Sequence, residues 1–191
     1  MNEVKCLSVS VAFAFALVWV SCGGSEESRA SAAQPRQVVP QQSDIDWEAA
    51  RQHARFDDAQ LSEQQSRVLE EALIPVLLPN EPESVRTAVV TAAPGWYSLS
   101  MKYEGFAVVM SGSTHQLRVE GVQPPQLPEY GMDDLRVVRA EGIAELVFRA
   151  YGAIYTISVE CEDPENDEHC TEDAYSLEVA DKLLLSGLNL P

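Results

Sequence analysis

Cations are scarce in this chain: 13 Lys and Arg stand against 30 Asp and Glu, a formal net charge of -17. Nucleic-acid binding needs a cationic surface, so that class is excluded, as is a domain lying flat on anionic lipid. Charged partners would be cationic proteins, peptides or divalent ions. Histidine is rarer still. His53, His115 and His169 are far apart and none forms a helix-spaced pair, so surface roles are expected for them rather than a metal cluster. There is no C-x-x-C pair among the four cysteines, and zinc chemistry ordinarily uses such spacing. Nor is there an apolar run of the roughly 20 residues that cross a bilayer core; Val9 to Val20 is too short. No cofactor is expected.

What the N-terminus does have is Cys22 in a particular setting. The apolar stretch Val9 to Val20 and the small Ser21 precede it, and Gly23, Gly24 and a polar tract follow. The apolar length is that of a signal-peptide h-region with a small residue before the cut. Val20-Ser21-Cys22-Gly23 resembles the lipobox of bacterial lipoproteins, with Trp19 standing where Leu is usual and Lys5 partly offset by Glu3. The resemblance implies that residues 1–21 are a signal peptide and that Cys22 carries the lipid. An uncleaved N-terminal anchor and ordinary secretion are the alternatives. One lipid chain holds a protein only marginally; the three chains of a bacterial lipoprotein suffice for permanent attachment. Gly23, rather than Asp, points toward the outer membrane, with the domain facing the periplasm.

With Cys6 lost and Cys22 lipidated, Cys161 and Cys170 remain as one pair, which suits an oxidising compartment. A disulfide is favoured over a metal site, because only His169 is adjacent. Residues 22–42, rich in Ser, Gln, Ala and Pro and without periodicity, read as a disordered tether, with a reach of roughly 25 Å for about 20 residues. Residues 43–191 then form one domain, of a size that supports a real core.

The domain opens with helices. Ser43-Asp44-Ile45-Asp46 precedes the apolar positions Trp47, Ala50 and Ala54. Ser62-Glu63-Gln64-Gln65 fits a capping box, ahead of Val68, Leu69 and Ala72. Ile74 to Pro79 reads as a short strand bracketed by prolines, suited to a sheet edge. Two hairpins follow. Turns at Glu104-Gly105 and Tyr151-Gly152 place Tyr97, Leu99, Met101 and Tyr103 with Phe106, Val108 and Met110, and Ala144, Leu146, Phe148 and Ala150 with Ala153, Tyr155, Ile157 and Val159. Polar residues take the opposite faces, with Val109 as the exception in the first hairpin. The hairpins align without a gap at an offset of 47, matching Gly95 to Gly142 and Gly105 to Gly152. Duplication and the common physics of amphipathic hairpins are both open explanations. Further strands are expected at Gln116–Glu120 and Leu135–Arg139. A last helix is expected after Thr171, with Leu177, Ala180, Leu183 and Leu184 on one face and Gly187 at its C′ position. The fold class is α+β: an antiparallel sheet built on two hairpins, flanked by N-terminal helices and a C-terminal helix.

Candidate chemistry is thin. Glu160 to Asp181 contains ten acidic residues and no Lys or Arg. Glu162, Asp163, Glu165, Asp167 and Glu168, inside the cysteine pair, are the carboxylates a calcium-responsive module would use. The EF-hand order is absent, however, and an exposed acidic run is ordinarily only solvated. Ser111 and Ser113 lie near His115 without a G-x-S-x-G elbow, the basis of a remote hydrolase alternative. Asp57-Asp58 and Asp133-Asp134 sit in polar surroundings. Trp96 and Tyr97 suit either packing or a binding surface.

With the hairpins and cysteine pair in place, the chain resembles uncharacterised exported bacterial lipoproteins. The similar stretches are Pro75 to Pro79, Tyr97 through Ser113, Tyr151 through Cys161, and Cys170 with the helix containing Tyr175 and Leu183. The resemblance covers most of residues 74–187 and implies export and a sheet-plus-helix domain, with no activity attached. The expected role is a non-catalytic binding or scaffolding domain whose partner is another envelope protein.

Overall fold

The computed structural model describes residues 38–119, 122–123, 126–130 and 135–191. Helices α1 (Trp47–His53) and α2 (Glu63–Glu70) precede the short strand β2 (Leu77–Pro79), and α3 (Pro82–Thr87) follows it. Then come β3 (Val89–Ala93), β4 (Trp96–Lys102), β5 (Phe106–Ser113) and β6 (His115–Val119), the last pairing with β1 (Val38–Gln42). β7 (Val137–Ala140), β8 (Ile143–Ala150) and β9 (Ala153–Cys161) follow, and α4 (Glu168–Thr171), α5 (Ala174–Asp181) and β10 (Leu183–Leu185) end the domain. The fold is α+β, with a six-stranded antiparallel sheet in the order β3-β4-β5-β9-β8-β7.

Both hairpins fold in the expected register. Leu99 faces Met110 and Met101 faces Val108; Leu146 faces Ile157 and Phe148 faces Tyr155. Tyr151 and Gly152 both take positive φ, as a type I′ turn requires, whereas at the first turn only Gly105 does. The offset of 47 reaches further than the hairpins. Val90 pairs with Leu99 as Val137 pairs with Leu146, and at the centre of the sheet Met110 faces Ile157, its own counterpart. The sheet is thus two equivalent three-stranded meanders related by a pseudo-two-fold axis between Met110 and Ile157.

One face of this sheet is buried under the helices and the β2–β10 ribbon. Tyr97, Leu99, Leu146, Phe148, Tyr155 and Ile157 meet Leu69, Ile74, Leu77, Val85, Ala180 and Leu185 there. Burying side chains of this size contributes roughly 1.5–3 kcal/mol each. In the row Tyr97–Gly112–Tyr155 the two rings pass over a glycine, where a Cβ would lie 2.5 Å from Tyr97 Cε1 and 2.9 Å from Tyr155 Cε1. Both hydroxyls then bond the buried segment above: Tyr155 donates to Pro75 O at 2.8 Å and Tyr97 to Leu77 O at 2.8 Å.

Three expectations are corrected. Val38–Gln42, assigned to the tether, form β1 along the edge of β6, because β6 offers backbone partners that local composition does not reveal. The C-terminal helix stops at Asp181, and Leu183–Leu185 form a strand antiparallel to β2. Their burial alternates, with Leu183 and Leu185 inside, as a strand requires. Thr171 belongs to α4, and Gly187 donates its N–H to Asp58 Oδ2 at 3.0 Å instead of ending a helix. The proline-bracketed strand β2 lies outside the main sheet and is fully buried. The capping box at Ser62 and Gln65 forms as read, and the buried Gln65 amide also donates to Val85 O and Ala88 O.

Candidate functional site

A cleft of about 550 Å³ opens where the Tyr151-Gly152 turn meets α1, β10 and the segment at Glu129-Tyr130. Its parts are held by backbone. Asp46 caps α1, accepting from Ala49 N at 3.0 Å, while its own N–H donates to Tyr151 O at 3.0 Å, so the helix start is docked on the turn. This places Ala49 and His53, four residues apart, on one wall. The His53 and Tyr151 rings are 5.9 Å apart. The opposite wall is a short strand addition: Tyr130 N donates to Arg149 O at 2.7 Å, and Arg149 N donates to Pro128 O at 2.8 Å. Leu77, Ala150 and Leu183–Leu185 supply the apolar lining.

The Tyr130 hydroxyl lies within reach of the Ala180 and Leu183 carbonyls, at 3.1 and 3.2 Å. Burial raises the pKa of both Tyr130 and Tyr151, so their phenols are neutral hydrogen-bonding groups at physiological pH. Arg149 borders the cleft and donates from Nη2 to Gln116 Oε1 at 3.2 Å. Among the described residues no hydrogen bond couples His53 to a carboxylate or hydroxyl. An apolar lining with a few polar groups at the rim is the form of a recognition site.

A second cluster surrounds the disulfide Cys161–Cys170, which holds α4 against the end of β9. Asp167 Oδ1 accepts from the backbone N–H of His169 at 2.9 Å and meets its ring Nδ1 at 2.6 Å. The backbone hydrogen bond, then the ring, lowers the carboxyl pKa. The His169 ring stacks on Phe106 at 4.1 Å and meets the edge of Tyr175 at 4.7 Å. His169 is therefore half-buried among aromatics, not the ordinary surface residue expected. The calcium arrangement is not assembled: Glu162, Asp163, Glu165 and Glu168 are exposed, Asp163 accepts from Asn166, and Asp167 caps α4. Among the described residues no three acidic, His or Cys side chains converge as a metal site.

The serine–histidine arrangement does not form either. Ser113 Oγ accepts the backbone N–H of His115 at 3.0 Å, so the imidazole is not its partner, and Ser111 faces Ser98 and Thr156 on the open side of the sheet. Asp57 caps a 3₁₀ turn, and Asp58 holds Ser186 Oγ at 2.6 Å. Trp96 is exposed at the sheet surface, whereas Tyr97 is core. Cys22, Asp133 and Asp134 lie outside the described residues. Sequence reasoning missed the cleft entirely, since residues from 46 to 185 build it; the only local signal is the strained Tyr151-Gly152 turn. Set against known protein families, curated proteins and solved structures, the chain gives no match.

Proposed function

We propose that this chain is a membrane-anchored envelope lipoprotein, acylated at Cys22, whose domain is a non-catalytic module that binds another envelope component. Gly23 favours the outer membrane, with the domain in the periplasm. The observation that carries the binding role is the cleft beside Tyr151, which combines a leucine lining with neutral phenols at its rim. Support for the compartment comes from the lipobox-like residues and from the Cys161–Cys170 disulfide.

Two in-cell measurements test this reading. Alkyne-palmitate labelling should mark the wild-type chain and fail in Cys22→Ser; label retained in that variant, or absent from wild type, refutes the anchor. A photo-crosslinking residue at His53, in the cleft, should capture a discrete envelope protein, while one at exposed Glu165 should not. Equal adducts from both positions, or none from His53, refute binding through the cleft.

A further inference from the structure

The two edges of the six-stranded sheet are counterparts under the pseudo-two-fold, yet they are treated differently. Helix α2 packs along β3, and the Gly95 N–H donates to Ala72 O just beyond that helix. Along the outer side of β7 no comparable element packs among the described residues. Ala140 pairs with Ile143 across a two-residue turn, which phases the ladder. Val138 and Ala140 thus direct their backbone groups to β8, and Val137 and Arg139 direct theirs outward. No backbone partner for Val137 or Arg139 outside β8 occurs among the described residues. Val138 is 63% exposed on this strand.

We infer that β7 pairs with β7 of a second copy, antiparallel about a two-fold axis at Val138, joining two sheets into one of twelve strands. Three observations select a second copy. The outward-facing groups of Val137 and Arg139 are mutually complementary in that register, each residue meeting the other across the axis. The exposed Val138 side chain falls on the axis and is covered by its own equivalent. The register also sets Arg136, exposed and without an ion pair among the described residues, beside the acidic Glu141 turn of the other copy. This edge carries no proline or bulge, and the one charged side chain of β7, Arg139, is engaged by Asp173 and by Cys170 O. Each copy has a net charge of -17, so repulsion opposes pairing and screening salt favours it.

The inference rests on neither the anchor nor the cleft. It is tested in the full chain with Cys6 and Cys22 replaced by Ser, which leaves only an introduced thiol free. On mild oxidation Val138→Cys should give a disulfide-linked dimer, because facing residues at such a site have Cα atoms about 4.5 Å apart, within bonding reach. Glu165→Cys should link at least about tenfold more slowly by collision alone. Sedimentation without added cysteines should show a reversible dimer that tightens about threefold or more from 20 to 300 mM salt. Val137→Pro, which removes an outward N–H and leaves the β8 ladder intact, should abolish the dimer while retaining the wild-type circular dichroism. A monomer at 500 μM and 300 mM salt overturns the inference. So do equal linking rates from positions 138 and 165, and so does a dimer indifferent to Val138→Lys.

Discussion

Replacing Tyr97 with Phe removes one oxygen atom from the core and should cost far more than its size suggests. Ser186 N donates to Val76 O and Asn80 N to Lys182 O, both at 2.9 Å, which phases the β2–β10 ladder. Leu77, between those positions, therefore turns its N–H and C=O away from β10. Both are satisfied by the Tyr97 hydroxyl, which accepts from Leu77 N at 3.0 Å and donates to Leu77 O at 2.8 Å. Tyr97 and Leu77 are both buried, so water cannot take its place. Each stranded backbone group costs about 1–3 kcal/mol, and we expect a loss of about 3 kcal/mol in total, as a midpoint for two groups. For a domain near this size that lowers Tm by about 6–12 °C. Urea denaturation of the Cys22→Ser chain, followed by near-UV circular dichroism, measures it. Tyr103→Phe is the internal control: its half-exposed hydroxyl meets Glu81 at 3.1 Å, and its removal should cost under about 1 kcal/mol. A Tyr97→Phe variant within about 0.5 kcal/mol of wild type would refute the claim that this hydroxyl fastens β2 to the sheet.

Gly112→Ala places a methyl against the Tyr97 and Tyr155 rings and should destabilise by about 1–3 kcal/mol in the same assay; Gly105→Ala is a poor control because its φ is positive, so Ser111→Ala on the open face serves instead. Reducing Cys161–Cys170 should cost about 2.5–3 kcal/mol from the closed loop alone, and exchange of α4 and α5 amides should rise more than that of β4 and β5. All six tyrosines have pKa values raised by burial. Absorbance at 295 nm should therefore show little phenolate near pH 10 in the native chain and a normal titration in urea. Because the folded state holds those protons more tightly, stability should be unaffected below pH 10 and fall as pH rises beyond it. A native titration centred at 10 would contradict the burial. Millimolar calcium should leave Tm unchanged, and a rise of several degrees would show a site that the separated loop carboxylates do not form.

Local chemistry settled a good deal in this chain. The period-2 alternation around two X-Gly turns determined both central hairpins to the residue, because a slip of one position would turn every apolar side chain toward water. Ser62 and Gln65 determined the start of α2 for the same kind of reason, since a capping box closes within four residues. Tertiary structure decided what depends on partners distant in sequence. Leu183 and Leu184 continue a helical face in sequence, yet they become a strand because buried β2 needs a neighbour for its backbone. Val38–Gln42 look like tether and become β1 because β6 presents an edge. The residues of Val89–Ala93 do not alternate polar with apolar in sequence, and their role as an edge strand follows from pairing with β4 and from α2 packing beside them. The cleft exists only where α1, the Tyr151-Gly152 turn, Tyr130 and β10 meet, and no stretch of sequence carries more than one of its walls.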